Sequence, residues 1–201
     1  MEPISRVQFS PGTHFIMNIW NNQNLIDALK NGGTAVMPTD TLYGIVGSAL
    51  DQGVVEKIYV LRKRQPSKPC IVLIADEEEL QKFSIEFSLE QKQEIEKYWP
   101  GPVSIILECL DPKFEYLHRG TNALAFRMPA KEELRELLRQ TGPLIAPSAN
   151  QEGMLPAQNI AEAEAYFGDA VDFYLDGGEV TGQPSKILKI ERDGMVSVIR
   201  S

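Results

Sequence analysis

Residues 23–44 read QNLIDALKNGGTAVMPTDTLYG, and the order of patterns in this stretch decides the fold class. Leucine and isoleucine recur with helical spacing, which predicts a helix over Gln23–Lys30 that the following Asn-Gly-Gly ends. The short β-leaning stretch 34–38 predicts a strand, and the polar stretch 39–44 predicts a loop. A helix, a strand and a polar loop in this order are typical of α/β proteins.

The same alternation continues over the rest of the chain. Further helices are predicted after an N-cap at Asp51 and over residues 76–83, 88–99, 131–140 and 159–167. Further strands are predicted over residues 70–74, 103–110, 123–128 and 144–147, near Phe173, and over residues 187–190 and 196–199. No repeat or long polar linker divides the chain, so we expect an α/β protein with one domain over residues 1–201.

The composition excludes several classes of protein. The 201 residues are 43% hydrophobic and 24% charged, which is typical of a globular domain and excludes disordered, collagen-like and disulfide-scaffold chains. The net charge of −8 excludes a chain that binds nucleic acid through its overall charge, so any basic site must be local. Cys70 and Cys109 lie in apolar runs, so we expect reduced core residues. The absence of a targeting pattern or an apolar run of membrane-spanning length favours a soluble, cytoplasmic protein.

The sequence lacks the patterns of several enzyme classes. Its histidines, His14 and His118, accompany no GxSxG element or cysteine partner, which argues against serine or cysteine hydrolase chemistry. Neither an HExxH motif nor a Cys/His cluster is present, so no protein metal site is expected. A GxxxxGK[ST] loop and a GxGxxG motif are also missing, so any nucleotide site must have another design.

Polar loops at the ends of predicted strands remain as candidate sites, because ligands of open α/β sheets bind at that edge. Residues 38–44 offer two hydroxyls and a carboxylate to a small polar ligand, with an Asx or Ser/Thr turn as the alternative. Arg62, Arg64 and Lys68 suit phosphate oxygens, with the cations of a solvated helix end as the alternative.

Further candidates follow later in the chain. Ser148 and Asn150 offer a hydroxyl and an amide that suit phosphate or ribose, whereas Ser185 and Arg200 by themselves indicate only a turn and a chain-end charge. Arg127 interrupts an apolar strand, and a guanidinium there needs an anionic partner. That partner is either a ligand or a buried carboxylate.

Taken in this order, the motifs resemble the YrdC-like family of threonylcarbamoyl-adenylate synthases in its short, single-domain form. The six matching elements are residues 38–44 (PTDTLYG), 62–64 with 68–69 (RKR and KP), 99–102 (WPGP), 126–129 (FRMP), 147–150 (PSAN) and 184–187 (PSKI). The resemblance implies a twisted, mixed β-sheet with surrounding helices and a central polar, locally basic cleft. It also implies that the additional C-terminal domain of longer members is absent.

Members of this family join L-threonine, bicarbonate or CO2, and ATP into threonylcarbamoyl-AMP and pyrophosphate, the activated intermediate for the t6A modification beside the anticodon of tRNA. The resemblance implies that this chain is such a nucleotidyltransferase. It also implies partnership with tRNA or the t6A-transferase machinery. Mg2+ would be carried on ATP, which needs no dedicated protein site.

The resemblance also implies a role for each matching residue. Threonine would be held by Thr41, Arg127, Ala146 and Ser185. ATP would be held by Arg62, Arg64, Lys68, Ser148, Asn150, Pro156 and Arg200. The catalytic group would be Arg62, Arg64, Ser148 and Asn150, which act on converging negative charge as pyrophosphate leaves.

Two alternatives stay open. The first is a paralogue that keeps the cleft but binds RNA or a nucleotide without forming threonylcarbamoyl-AMP. It is motivated by Arg62, which stands where the family has Lys, and by Lys186, which stands where many members have Thr; Leu73 similarly replaces a common His. The second is carbamoylation of another acceptor, which the absence of an acylphosphatase-like or zinc-finger region disfavours.

Overall fold

The secondary structure follows the predicted alternation of helices and strands. The computed structural model describes residues 5–7 and 18–201, with side chains from residue 18 onward. Its helices are α1 (Gln23–Lys30), α2 (Gln52–Leu61), α3 (Leu89–Ile95), α4 (Glu115–His118), α5 (Glu132–Thr141) and α6 (Ile160–Phe167). Its strands are β1 (Ser5–Val7), β2 (Ala35–Pro38), β3 (Tyr43–Ser48), β4 (Ile71–Leu73), β5 (Val103–Glu108), β6 (Ala123–Arg127), β7 (Leu144–Ile145), β8 (Phe173–Leu175), β9 (Lys186–Ile190) and β10 (Val196–Arg200).

The described strands form one mixed, open sheet in the order β1-β8-β2-β3-β7-β4-β6-β5-β9-β10. Parallel pairs (β1 with β8, β8 with β2, β4 with β6, β5 with β9) stand among antiparallel ones. This architecture confirms the expectation of a single-domain, mixed α/β sheet surrounded by helices. The exact extent of the domain over residues 1–201 stays a prediction.

Two apolar cores cover the faces of the sheet unequally. On one face, buried residues of α2, α3, α4 and α6 pack against strand residues such as Ile45 and Phe126. On the other face, α1 and α5 pack on residues such as Leu73, Leu144 and Phe173. This second cover ends at β4, and beyond it the side chains of β6, β5 and β9 that share its face line a cavity. The open part of this face is where the candidate site lies.

Local sequence explains where three of the helices begin. The side chain of Asp51 accepts a hydrogen bond from the N–H of Val54 at 3.1 Å, as the predicted N-cap requires. Ser88 and Gln91 form a reciprocal capping box at α3, and Asn159 caps α6. These three predicted caps are confirmed.

The Trp-Pro-Gly-Pro motif forms the turn that leads into β5. The indole Nε1 of Trp99 donates to the carbonyl of Val103 at 2.8 Å, and the N–H of Gly101 donates to the carbonyl of Met128 at 2.9 Å. A Cβ at Gly101 would lie 2.4 Å from the carbonyl oxygen of Tyr98, so only glycine fits this turn. The turn thereby holds the residue that follows Arg127.

Three predicted elements differ clearly from the structure. The helix predicted over residues 88–99 ends at Ile95, four residues early. The loop predicted over 39–44 ends at Leu42, because Tyr43–Ser48 pairs with β2 as an antiparallel hairpin. Gly44 and Gly47 weakened the strand signal, yet a Cβ at Gly47 would lie 2.4 Å from Val54, so close packing of α2 requires glycine there. The helix predicted over 76–83 is a 3-10 helix over Glu77–Phe83.

The cysteine and membrane expectations can be compared with the described residues. Cys70 and Cys109 are buried and free, which confirms their reading as reduced core residues. Burial raises the pKa of the Cys70 thiol, and it raises that of Cys109 to about 11. Within residues 5–7 and 18–201, no helix is long and apolar enough to cross a membrane.

Candidate active site

A cavity of about 420 Å³ lies over the open part of the sheet. Its floor is apolar and comes from neighbouring strands, with Ile71 on β4, Ala125 on β6, Ile106 on β5 and Ile187 on β9. Its walls are polar loops that carry hydroxyl and guanidinium groups. The arrangement of a few convergent polar groups over an apolar floor is typical of a small-molecule site.

Arg127 ends β6 and lies at one end of the cavity, with only 4% of its side chain exposed. Its Nη2 atom lies 3.0 Å from a carboxylate oxygen of Asp40, and its Nη1 atom donates to the hydroxyl of Thr41 at 3.1 Å. Burial lowers the pKa of the Arg127 guanidinium, and the Asp40 carboxylate opposes that shift. The anionic partner that the sequence required is therefore, within the protein, a buried carboxylate.

Ser185, immediately before β9, and Arg200, the last residue of β10, join this end of the cavity. Arg200 donates two hydrogen bonds to the carbonyl of Ser185, at 3.1 and 2.7 Å. The hydroxyl of Ser185 lies 2.9 Å from that of the fully buried Ser104. Burial lowers the pKa of Arg200, which is close enough to Arg127 to contribute to lowering that residue's pKa as well. Arg200 thus neighbours the residues expected to bind threonine, although the sequence grouped it with ATP.

Arg62 is buried and organises a second polar group. Its Nε and Nη2 atoms donate to the carbonyl and side-chain oxygens of Asn150 at 3.0 and 2.9 Å, and Nη2 also contacts the Ser148 hydroxyl at 3.3 Å. Its Nη1 atom is buried and has no hydrogen-bond partner among the described residues. Burial, with a smaller contribution from Arg64, lowers the pKa of Arg62. An anion in the cavity would supply the missing acceptor.

Asn150 itself does not line the cavity. Its Nδ2 atom donates to the carbonyls of Gln151 and Met154, both at 2.8 Å, and its Oδ1 accepts from Ser148 at 2.7 Å. All of its polar atoms therefore hold the loop and Arg62 in place. The geometry makes Asn150 a positioning residue for Arg62 and Ser148.

The basic loop after α2 is fixed by its own cations. Arg64 donates to the carbonyls of Lys68 and Pro69 at 3.0 and 2.8 Å while lining the cavity. Lys68 lies outside the cavity, where its Nζ contacts Glu152 at 2.6 Å. The second carboxylate oxygen of Glu152 accepts from the backbone N–H of Gln65 at 2.6 Å. Lys68 must therefore leave Glu152 before it can contact a ligand in the cavity.

A loop between β8 and β9 approaches residues 41–43 closely. The hydroxyl of Tyr43 donates to the carbonyl of Gly178 at 2.8 Å and accepts from the N–H of Gly177 at 2.9 Å. A Cβ at Gly182 would lie 1.9 Å from the carbonyl oxygen of Thr41, so backbone meets backbone there. This loop holds residues 41–43 against the cavity.

The structure brings most of the expected site residues together. Those that line the cavity are Thr41, Arg62, Arg64, Arg127, Ala146, Ser148, Pro156, Ser185 and Arg200. Asn150 lies behind Arg62, and Lys68 lies at the exposed rim. Sequence reasoning noted the Asp40 carboxylate only as a group offered to a ligand and did not pair it with Arg127, and it did not identify Glu152.

His118 and two of the positions at which this chain departs from the family pattern, Leu73 and Lys186, do not line the cavity. His118 is buried in α4 and does not line the cavity, and His14 lies outside the described residues. Among the residues that the structure describes, no group of three or more His, Cys, Asp or Glu could hold a metal ion. Lys186 does not line the cavity, and Leu73 is fully buried in the core beneath α5. The substitutions noted at these two positions therefore leave the cavity lining unchanged.

One model of a known protein family matches most of the chain. The model of the family comprising Sua5, YciO and YrdC, described as telomere recombination, matches residues 27–201. The chain belongs to the Sua5/YciO/YrdC family. The resemblance noted from its motifs is therefore confirmed.

Named members of the Sua5/YciO/YrdC family align over most of this chain. A threonylcarbamoyl-AMP synthase from Idiomarina loihiensis is 32% identical over 167 residues, covering 80% of this chain and 88% of the relative. A putative threonylcarbamoyl-AMP synthase from Methanocaldococcus jannaschii is 32% identical over 187 residues, covering 90% and 88%. A threonylcarbamoyl-AMP synthase from Pyrococcus abyssi is 32% identical over 167 residues, and this chain spans about half of its length (47%).

Solved structures of the Sua5/YciO/YrdC family share the fold. The crystal structure of Pyrococcus abyssi Sua5 complexed with L-threonine superposes with a TM-score of 0.81 at 27% identity, covering 90% of this chain and 54% of that one. The solution structure of MTH1692 from Methanobacterium thermoautotrophicum gives a TM-score of 0.71 at 27% identity, covering 100% and 91%. The fold is therefore shared with these members of the family.

Proposed function

We propose that this protein is an L-threonylcarbamoyladenylate synthase, which forms threonylcarbamoyl-AMP and pyrophosphate from L-threonine, bicarbonate or CO2, and ATP. The observation that carries the proposal is the convergence of nine of the eleven expected site residues on one cavity. Relatives named threonylcarbamoyl-AMP synthase, 32% identical and matched over 80 to 90% of this chain, support it.

Threonine is held at the Arg127 end of the cavity. Arg127 and Ser185 meet its carboxylate, Thr41 supplies a hydroxyl, and Ala146 lines the wall beside them. The threonine amine is itself the nucleophile, because it adds to CO2 and releases a proton to give a carbamate. The protein then needs no covalent nucleophile, in agreement with the protonated, buried state of Cys70, whose thiol pKa is raised by burial.

ATP is held by the second polar group. Arg62, whose Nη1 atom has no hydrogen-bond partner among the described residues, and Arg64 line the part of the cavity where the phosphates would lie. Ser148 and Arg200 add a hydroxyl and a further cation, and Pro156 lines the wall on the adenylate side. Asn150 positions Arg62, and Lys68 joins the phosphates when it leaves Glu152.

The reaction is an attack of the carbamate oxygen on the α-phosphorus of ATP, with pyrophosphate as the leaving group. Binding both substrates in one cavity raises the effective concentration of the carbamate, and effective molarities reach about 10⁵ M or more in well-oriented systems. The fixed guanidinium groups stabilise the negative charge that gathers in the transition state, because they are oriented before the reaction begins. Charge stabilisation and positioning are the protein's main contributions.

Mg2+ enters as part of the nucleotide substrate. The charged groups that line the cavity are guanidinium groups, and the neighbouring Asp40 carboxylate is engaged by Arg127. These residues fit an ion that is bound by phosphate oxygens and water rather than by protein carboxylates. We further propose that the protein works in the cytoplasm and passes its product to tRNA or to the enzyme that completes t6A.

The test is a complete reaction with a labelled substrate. Purified protein, Mg-ATP, ¹³C-bicarbonate and L-threonine are expected to release pyrophosphate and to yield threonylcarbamoyl-AMP with the label in its carbamoyl carbon. Arg64→Ala is expected to lower the rate, while Arg192→Ala removes an exposed cation outside the cavity and serves as the matched control. Pyrophosphate release that is independent of threonine in a folded, ATP-binding protein would contradict the proposal.

A further inference from the structure

The four arginines that line the cavity differ in one respect. Arg62, Arg64 and Arg200 donate to carbonyl, hydroxyl and amide oxygens, and none of them forms an ion pair with a carboxylate among the described residues. Arg127 alone of the four has a carboxylate at ion-pair distance in that part of the chain. Among the described residues, the cavity therefore holds one cation that is paired with a carboxylate, Arg127, and three that are not, one of which, Arg200, lies near Arg127.

Asp40 compensates Arg127 from behind. Its side chain is 5% exposed, and one carboxylate oxygen lies 3.0 Å from Nη2 of Arg127. Both carboxylate oxygens are buried without a well-aligned hydrogen bond among the described residues, so the contact is an ion pair. Asp40 does not line the cavity, so it acts on a ligand only through Arg127 and through its own charge.

The negative charge of Asp40 changes which ligands bind favourably beside Arg127. A carboxylate behind a guanidinium lowers the positive potential in front of it, and the loss of attraction grows with the negative charge of the ligand. A phosphate dianion therefore loses the most attraction to Arg127. A zwitterionic amino acid loses little, because the same carboxylate that weakens the pull on its carboxyl group attracts its ammonium group.

We propose that Asp40 is a specificity-determining residue, which makes the ligand position directly in front of Arg127 select an amino acid over a phosphate group. The proposal rests on the proposed function, in which threonine and the phosphates of ATP share one cavity and must be sorted between its ends. Arg62, Arg64 and Arg200, which lack a carboxylate partner among the described residues, then receive the phosphates. The buried ion pair prevents phosphate or pyrophosphate from occupying the threonine position.

The test is a pair of calorimetric titrations, with inorganic phosphate at a pH where it is a dianion and with L-threonine. Asp40→Asn keeps an oxygen that can accept from Arg127 but removes the charge. We expect it to create phosphate binding that threonine displaces and that is about tenfold tighter than any such binding in the parent protein. Its dissociation constant for threonine is expected to change by less than about threefold, and Asp40→Glu is expected to restore rejection of phosphate.

The control is Asp76→Asn, which changes the net charge equally at an exposed ion pair with Arg139. Unchanged phosphate binding in Asp40→Asn, or extra phosphate that threonine does not displace, would overturn the proposal. If thermal melting shows that Asp40→Asn does not fold, Asp40→Ser, which leaves room for water beside Arg127, is measured with the same expectation. The titrations measure binding alone. The proposal for Asp40 can therefore be contradicted in a protein that is an active synthase, and it can be supported in a protein that has no synthase activity.

Discussion

At the scale of single residues, the way each side chain uses its hydrogen-bonding atoms separates binding from positioning. Asn150 uses its side-chain amide on Arg62, Ser148 and the carbonyls of its own loop, whereas Arg62 leaves one nitrogen without a partner. A residue with an unused buried donor is prepared for a ligand, because leaving that donor unpaired costs about 1 to 3 kcal/mol. Thr41 is placed similarly, since its hydroxyl meets both Arg127 and the cavity.

Thr41→Ala is expected to weaken threonine binding by about tenfold, which corresponds to one lost hydrogen bond, and to leave ATP affinity unchanged. Ser148→Ala is expected to weaken ATP binding and to leave threonine affinity unchanged, because Ser148 contacts Arg62. Calorimetric titration of each variant with each substrate checks the assignment. Loss of ATP binding in Thr41→Ala with normal threonine affinity would show that the two ends of the cavity have been exchanged.

At the scale of secondary-structure elements, two contacts decide how loops and strands meet. The basic loop after α2 is tied to the loop after β7 by the contact of Lys68 with Glu152. The start of β2 is tied to β8 by Asp172, whose carboxylate accepts from the N–H and hydroxyl of Thr34 at 2.7 and 2.8 Å. The first contact competes with a ligand, and the second supports the sheet.

Glu152→Gln is expected to tighten ATP binding by about threefold at low salt, because Lys68 no longer has a charged partner to leave. The difference should fade at high salt, since the pair is partly exposed and is screened. Glu191→Gln, which breaks the exposed pair with Lys189 outside the cavity, is the matched control. Weaker ATP binding in Glu152→Gln at every salt concentration would mean that Glu152 supports the site instead of competing for Lys68.

Asp172→Asn is expected to lower stability by about 1 kcal/mol at neutral pH, after allowance for the exposure of nearly half of the side chain. Burial raises the pKa of Asp172, but the hydrogen bonds from Lys57 and Thr34 outweigh burial and leave the pKa lowered. A lowered pKa in the folded state stabilises the protein above the unfolded value of about 3.9, and this contribution is lost as the pH falls through the folded value.

The difference between the two proteins should therefore be full at pH 7 and shrink below about pH 4. Urea unfolding at both pH values measures it. Asp169→Asn, at an exposed carboxylate three residues earlier, is the control. A difference that does not depend on pH would show that Asp172 acts through packing rather than through its charge.

At the scale of the whole molecule, ligand binding should couple to global stability, because the cavity is built by loops from both ends of the chain. Residues of the stretches 39–44 and 184–200 line the cavity together with Arg127, which donates a hydrogen bond to Thr41. A ligand that bridges them stabilises the folded state without affecting the unfolded one.

L-threonine at about 100 times its dissociation constant should add about 2.7 kcal/mol, which raises the melting temperature of a chain of this size by about 5 to 10 °C. Arg127→Lys is expected to reduce that rise, because an ammonium group cannot serve Asp40, Thr41 and the ligand in the fixed geometry of a guanidinium. Each variant is compared with its own unliganded melting curve. An equal rise in melting temperature in both proteins would show that Arg127 does not contribute to threonine binding.

Much of the fold was determined by local sequence. Helical spacing and capping residues set α1, α2, α3 and α6, and apolar runs set the central strands, because these signals depend on neighbouring residues alone. The strand β3 was missed because its two glycines weakened the strand signal, and the packing of α2 that requires Gly47 is seen only in the fold. Sequence motifs likewise identified most of the cavity lining, but they could not distinguish Asn150 and Lys68, which lie outside it, from the residues that face it.

The sequence by itself determined the α/β class, the positions of the polar loops and the need of Arg127 for an anionic partner. Only the tertiary structure decided which partner that is, since Asp40 and Arg127 are 87 residues apart and meet because β2, β3, β7, β4 and β6 lie side by side in the sheet. The physical reason is that spacing along the chain sets local conformation, whereas charge compensation depends on distances across the fold. The same reason explains why the contact of Glu152 with Lys68, which is far from it in sequence, could be identified only from the tertiary structure.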